Sequence, residues 1–176
     1  MQIRNILKSY NIKNVTLKWP NDLYVNNKKV SGILQESIVF GKFFLIVGIG
    51  INVKSSPKIK KYPTTYLNKE TKKKINLNEL VEKLKKAFVS NVIDKKYSLK
   101  KIAKNWNKYA FNINKFINFK INNKIYKGIF KGINNNGALI LEHNNHKDYF
   151  THGSLVWIIW SSTSAILTLI LLILIS

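Results

Sequence analysis

Between Val15 and Val53 four strand-like runs follow one another with almost nothing between them. Val15-Thr16-Leu17-Lys18-Trp19 alternates and is rich in β-branched residues, and further runs occupy 23–25, 29–39 and 43–53. Pro20 lacks an N–H and ends the first run, and Asn21-Asp22 supply turn chemistry. The other joins, Asn26-Asn27-Lys28 and Gly41-Lys42, hold residue types that close tight hairpins. Connections this short cannot carry a parallel crossover. The spacing therefore predicts an antiparallel meander of about four strands.

On either side the period is helical. Ile3, Ile6, Leu7 and Tyr10 predict an amphipathic helix over 2–10, and a Ser/Pro/Lys-rich stretch at 54–74 reads as a loop. Asn78 is placed to cap a helix over 79–91 with Leu80, Leu84, Ala87 and Phe88 on one face. Ser98 is placed to cap another over 99–109, burying Leu99, Ile102, Ala103 and Trp106. Period two returns over 114–152, with turn signals at Asn122-Asn123, Asn134-Asn135-Asn136-Gly137 and His143-Asn144-Asn145. That pattern predicts a small β-barrel or SH3-like module, too small for independent stability and expected to pack on the first domain. The fold class is α+β: a partial mixed or antiparallel sheet with packed helices over 1–111, the small β module over 112–153, and a hydrophobic tail over 154–176.

The tail differs in kind from the rest. No charged residue occurs from Gly153 to Ser176, and Ala165 to Ile175 is nearly all Leu and Ile. A charge-free run of about 20 residues is long enough to span a bilayer, but Ser161-Ser162-Thr163-Ser164 interrupts it. A membrane anchor through 155–176, a buried helix and sequence foreign to the domain are the three readings. No signal peptide opens the chain, and the expected location is cytoplasmic, with tethering by the tail as the variant.

A formal net charge of +22 invites a nucleic-acid reading, yet Arg4 is the only arginine and the lysines come with a surplus of asparagine and isoleucine from end to end. Specific readers of nucleic acid use arginine for bidentate contacts. The charge thus implies nonspecific binding at low salt rather than a specific partner. Zero cysteine excludes a disulfide framework, a cysteine nucleophile and thiolate metal sites.

Two features carry chemistry. In Val47-Gly48-Ile49-Gly50-Ile51-Asn52-Val53 the period of a strand puts Gly48, Gly50 and Asn52 on one face and the apolar residues on the other. Glycine weakens strands, so a bare face suits either a ligand lying on the backbone or a close contact with another element. Lys29, seven positions after Asp22, is a compact charge suited to a phosphate or carboxylate, or one more solvated lysine. Asp22 can accept from a ribose hydroxyl, hold a metal or cap its turn. His143 and His146 make an H-x-x-H spacing near His152, a poor metal pair on a turn, so no metal site is expected. No P-loop or Ser-His-Asp pattern is present.

Taken together, Lys18-Trp19-Pro20-Asn21-Asp22, then Lys29-Val30-Ser31-Gly32-Ile33-Leu34-Gln35-Glu36, then Gly48-Ile49-Gly50-Ile51-Asn52-Val53 resemble the biotin protein ligases in order and spacing. Lys127 to Ile133 and Gly137-Ala138-Leu139 look like that family's SH3-like C-terminal domain. The resemblance implies a class II synthetase-like catalytic domain that is N-terminally incomplete: no Gly/Arg-rich loop of the pattern GRGRxGR precedes the KWPND segment, and no helix-turn-helix is present. It implies ATP and biotin as substrates, Mg²⁺ with the ATP, and biotinyl-adenylate as the intermediate. The acceptor would be a biotin carboxyl carrier protein of acetyl-CoA carboxylase or a related carboxylase. By the same likeness Lys29 is the catalytic lysine and contacts biotin with Gly32, while Asn21, Asp22, Gly48, Gly50 and Asn52 face the nucleotide. The alternative expectation is a catalytically dead, membrane-tethered interaction protein.

Overall fold

The computed structural model describes residues 1–93, 98–122, 124–152 and 166–175. The chain divides into two units, one drawn from Met1–Thr16, Asn21–Lys95 and Thr163–Ser176, the other from Leu17–Pro20 and Lys96–Ser162.

In the first unit α1 (Gln2–Ser9) buries Ile3, Ile6 and Leu7, as its spacing predicts. The sole arginine, Arg4, is also buried, and its Nε donates to the Val15 carbonyl at 3.1 Å. The meander follows as β1 (Val15–Lys18), β2 (Asp22–Val25), β3 (Lys28–Phe40) and β4 (Lys42–Asn52). Asn26 and Asn27 adopt φ of 47° and 63° between β2 and β3, the pair of positive values that a type I′ hairpin turn requires. Nine of the ten described non-glycine residues with positive φ are asparagines. The abundance of asparagine is thus put to use: its short side chain bonds locally and tolerates the left-handed region.

The stretch 54–74, read as a loop, contains a short helix, α2 (Leu67–Thr71), anchored by the fully buried Leu67. The helix α3 (Leu77–Ile93) begins two residues earlier than its sequence signal. Its cap is Asn76, not Asn78, because the Asn76 Oδ1 accepts from the backbone N–H groups of Asn78 and Glu79 at 2.9 and 3.2 Å. Leu80 and Leu84 are fully buried in the core with Ile12, Val25, Val30, Ile49, Ile51 and Leu67; each such side chain contributes roughly 1.5–3 kcal/mol relative to exposure.

Residues 166–175 form a strand, where a membrane anchor, a buried helix and sequence foreign to the domain are the expectations from sequence; we call it β9 once β5 to β8 are placed. It pairs antiparallel with β4 at ten positions, from Phe43↔Ile175 to Asn52↔Ile166. The physical reason is local: β4 offers a full row of backbone donors and acceptors, and an Ile/Leu run satisfies them as well in a strand as it would satisfy its own in a helix. Residues 153–165 of the tail lie outside the described residues. No helix among the described residues is long and apolar enough to cross a membrane.

In the second unit α4 (Leu99–Lys108) uses a narrower face than its pattern suggests. Ala103 is buried and Trp106 meets Phe130 edge-on at 6.4 Å, but Leu99 and Ile102 are exposed, correcting the expectation that both are covered. Asn107 clamps the helix by two bonds to the Ile133 backbone, at 2.9 and 2.8 Å. The strands β5 (Phe116–Ile121), β6 (Lys124–Ile133), β7 (Leu139–His143) and β8 (His146–Phe150) form a four-stranded antiparallel sheet in that order. The tail strand (Ile166–Ile175) is accordingly β9, and the other sheet runs β1-β2-β3-β4-β9. The four-stranded sheet fits an SH3-like domain without closing into a barrel among the described residues. Its core is Ala110, Phe130, Leu139 and Leu141, walled by Trp19, Phe119, Tyr126 and Phe150. Trp19 fixes itself there by donating its indole N–H to the Gly137 carbonyl at 3.0 Å.

Candidate functional site

Strands β2, β3 and β4 bring the motif residues into one row: Asp22 pairs with Gly32, and Gly32 with Gly50. Lys29 and Gly32 are three positions apart, which in a regular strand would put them on opposite faces. A β-bulge resolves the conflict. Leu23 pairs with Ser31 but Tyr24 pairs with Lys29, so Val30 is the extra residue. The bulge turns Lys29 onto the face of Asp22 and Gly32 and leaves Val30 fully buried.

The result is an ion pair over bare backbone. Lys29 Nζ lies 2.6 Å from Asp22 Oδ1, with 23% and 8% of the two side chains exposed. A Cβ added to Gly32 would lie 3.4 Å from Asp22 Oδ1 and 3.6 Å from Lys29 Nζ. Glycine here keeps open the space beside both charges. At Gly48 an added Cβ would meet only Leu34, at 3.7 Å, an ordinary contact. No neighbour among the described residues therefore requires glycine at position 48, while Gly50 and Asn52 on the same face are buried.

The two asparagines hold the frame. Asn21 donates its amide to the Ile33 carbonyl at 2.6 Å and accepts from the Ile33 N–H at 2.9 Å through its backbone. Buried Asn52 donates to the Thr65 carbonyl at 3.0 Å. That bond belongs to a strap that sequence reasoning missed. Lys29 N–H donates to the Pro63 carbonyl and Thr65 N–H to the Lys29 carbonyl, both at 2.9 Å. The Thr65 hydroxyl donates to Glu70 Oε1 at 2.5 Å, and Asn26 donates to Glu70 Oε2 at 2.7 Å. The strap carries Tyr62 over Lys29, with Nζ 5.5 Å from the ring centroid. The only hint in the sequence is Tyr62-Pro63-Thr64-Thr65, a β-prone run closing a lysine-rich stretch, too short to show a period.

Burial first, then the charge of Asp22, raises the Tyr62 hydroxyl above its ordinary pKa. Tyr24, on the same row as Lys29, is raised further, by burial, then Asp22, then Tyr62. The histidines stand elsewhere, two on the β7–β8 hairpin and His152 just after it. His143 and His146 share the carboxylate of Asp148, at 2.9 and 3.4 Å, and His152 bonds the Thr151 hydroxyl. Among the described residues no group of three or more His, Cys, Asp or Glu is placed to hold a metal ion.

An α+β fold with a charge pair over a glycine-lined strand and a separate SH3-like sheet is the class these observations define. Residues 2–53 match the biotin/lipoate A/B protein ligase family, and residues 113–157 match the biotin protein ligase C terminal domain. The chain belongs to the biotin protein ligase family. The bifunctional ligase/repressor BirA of Bacillus subtilis is 30% identical over 136 residues, covering 73% of this chain and 42% of that protein. Biotin–protein ligase 2 of Arabidopsis thaliana is 48% identical over 61 residues, 34% of this chain and 16% of that one. The biotin protein ligase of Aquifex aeolicus solved with biotin and ATP superposes with a TM-score of 0.67 at 26% identity, covering 86% of this chain and 68% of that chain. The chain thus spans less than half the length of these curated relatives.

Proposed function

We propose that this chain carries the adenylate-forming face of an ATP-dependent biotin–protein ligase, with residues 1–111 as the catalytic part and 112–153 as the C-terminal domain. In this reading a biotin carboxylate oxygen attacks the α-phosphorus of ATP. The new P–O bond forms as the bond to the β-phosphate oxygen breaks, giving biotinyl-AMP and pyrophosphate. A lysine amine on a biotin carboxyl carrier protein, of acetyl-CoA carboxylase or a related carboxylase, then attacks the acyl carbon. AMP departs and the amine loses a proton.

The supporting observation is the lysine ammonium held by a carboxylate beside an open Gly32, within the segment that matches the ligase family. The biotin carboxylate and the α-phosphate are both negative, and charge grows on the phosphoryl and leaving oxygens during transfer. A fixed ammonium beside Gly32 favours that charge more than it favours the separated substrates. Lys29 is the catalytic residue in this assignment and touches the biotin carboxylate with Gly32. Asp22 orients the lysine and, with Asn21, Gly48, Gly50 and Asn52, forms the nucleotide side; the glycines let adenylate approach the backbone, and Asn52 acts by holding the strap. Mg²⁺ fits no protein cage here: Asp22 is engaged by Lys29 and no cluster of three donors exists among the described residues. The ion would enter with the ATP phosphates.

The test is biotinyl-AMP production by the purified chain with biotin and MgATP, quantified by mass spectrometry. Lys29→Ala is expected to lower the rate about 10²-fold, the loss typical when one donor to a developing oxyanion is removed. An unchanged rate removes Lys29 from the mechanism. Failure of the unvaried chain to form any adenylate removes the activity from this chain.

A further inference from the structure

We propose that Tyr62 is a positioning residue for Lys29, its ring face holding the ammonium in line with Gly32 while leaving N–H groups free for an incoming oxyanion. The inference rests on the reading of Lys29 above and adds a residue from outside the segment that carries the family's motifs.

The argument begins with what one carboxylate can do. An ammonium is a compact charge on a flexible stem with three donors. Asp22 Oδ1 fixes one of them at 2.6 Å, but a single contact lets the stem swing. A second carboxylate would hold it better and also cancel the charge that an oxyanion needs. An aromatic face does neither. It attracts the cation through its quadrupole without bearing net charge. The Tyr62 centroid, 5.5 Å from Nζ, is within the range of that attraction. Three groups bound the ammonium: Asp22, the ring and the space over Gly32, where an added Cβ would lie 3.6 Å from Nζ.

The way Tyr62 is carried supports the assignment. Residues 63 and 65 bond both backbone groups of Lys29 itself, so the ring and its target share one frame. Asn52, from the glycine strand, and Glu70, from α2, tie Thr65 from either side. The strands that carry Lys29 and Asn52 and the helix that carries Glu70 thus converge on the placement of one ring.

The experiment compares Tyr62→Phe with Tyr62→Leu in the full chain by two readouts. The first is the Lys29 ε-methylene resonance in a ¹³C–¹H correlation spectrum, assigned by its loss in Lys29→Arg. A ring above the ammonium shifts that resonance upfield. The shift is expected to persist in Tyr62→Phe and to disappear in Tyr62→Leu. The second readout is biotinyl-adenylate formation. Tyr62→Leu is expected to lower kcat about tenfold with little change in KM for biotin, and Tyr62→Phe to stay within about twofold. A resonance unmoved by Tyr62→Leu, or a Phe variant as slow as the Leu variant, overturns the proposal. The spectrum needs no turnover, so it decides the role of Tyr62 even if Lys29→Ala shows the adenylation reading to be wrong.

Discussion

Tyr24 is a buried residue on the row that also presents Asp22 and Lys29. Burial, the Asp22 charge and Tyr62 all disfavour its ionised form, so its pKa is raised in the folded chain. The sign of the linkage follows. The unfolded chain releases this proton near the ordinary tyrosine value of about 10, while the folded chain retains it. The stabilising contribution is therefore complete below about pH 10 and is lost as pH rises towards the folded value. Thermal unfolding followed from pH 9 to 12 should show a steeper fall of Tm for the unvaried chain than for Tyr24→Phe. Parallel curves would mean that Tyr24 ionises equally well in both states. At this scale much was legible in the sequence, and the failures have physical causes. Lys29 and Asp22 stood out through their motif, but their shared face did not, because the bulge at Val30 breaks the two-residue period by which faces are counted. Asn52 was legible as a polar residue on the glycine strand. Its partner, the Thr65 carbonyl, lies beyond any local pattern.

Helices and strands were legible wherever one period ran unbroken up to a turn signal. The meander, α1 and the four strands of the small sheet meet that condition. Helix α2 does not: at five residues it is barely more than one turn, and its identity depends on Leu67 entering the core. The start of α3 was misplaced because Asn76-Leu77-Asn78-Glu79 offers two asparagines as caps. The first wins because it puts a glutamate at the third helical position, where the N-terminal dipole favours negative charge. Glu79 also meets Lys83 at 2.7 Å one turn on. Asn76→Ala should therefore lower stability by about 1 kcal/mol, read as a shift in the urea midpoint at constant m-value. Asn78→Ala should stay within about 0.5 kcal/mol, as an exposed helical position does. The reverse order of the two effects would return the cap to Asn78. Sequence also misjudged α4, since hydrophobic spacing says which residues share a face but not how wide a neighbour covers it. Leu99 and Ile102 lie at the uncovered margin.

At the scale of the whole molecule the order of the chain matters more than any one contact. The first unit is interrupted: the chain leaves it, builds the SH3-like sheet, and returns with β9. Neither family match reaches β9, which begins at Ile166. Its partner β4 is among the most buried strands of the described residues. Val47, Ile49 and Ile51 are at most 1% exposed, and Gly50 and Asn52 are also buried. With β3 on one side and β9 on the other, β4 is paired along both edges, which leaves no row of unpaired N–H and C=O groups in so buried a strand. The tail was opaque in sequence because a run of Ile and Leu fits a buried strand, a buried helix or a bilayer equally well, and only the partner decides. Because the chain has no cysteine, this pairing can be tested without background. The double variant Leu45→Cys with Ile173→Cys joins directly paired positions, whose Cα separation in an antiparallel ladder is within disulfide range. It should oxidise to a bridged monomer, as should the β3–β4 control Ser37→Cys with Leu45→Cys. The offset pair Leu45→Cys with Leu172→Cys should close far more slowly. If the control closes while the β4–β9 pair stays reduced, β9 does not cover this edge. If that pair links two chains instead, the strand is supplied by a second copy.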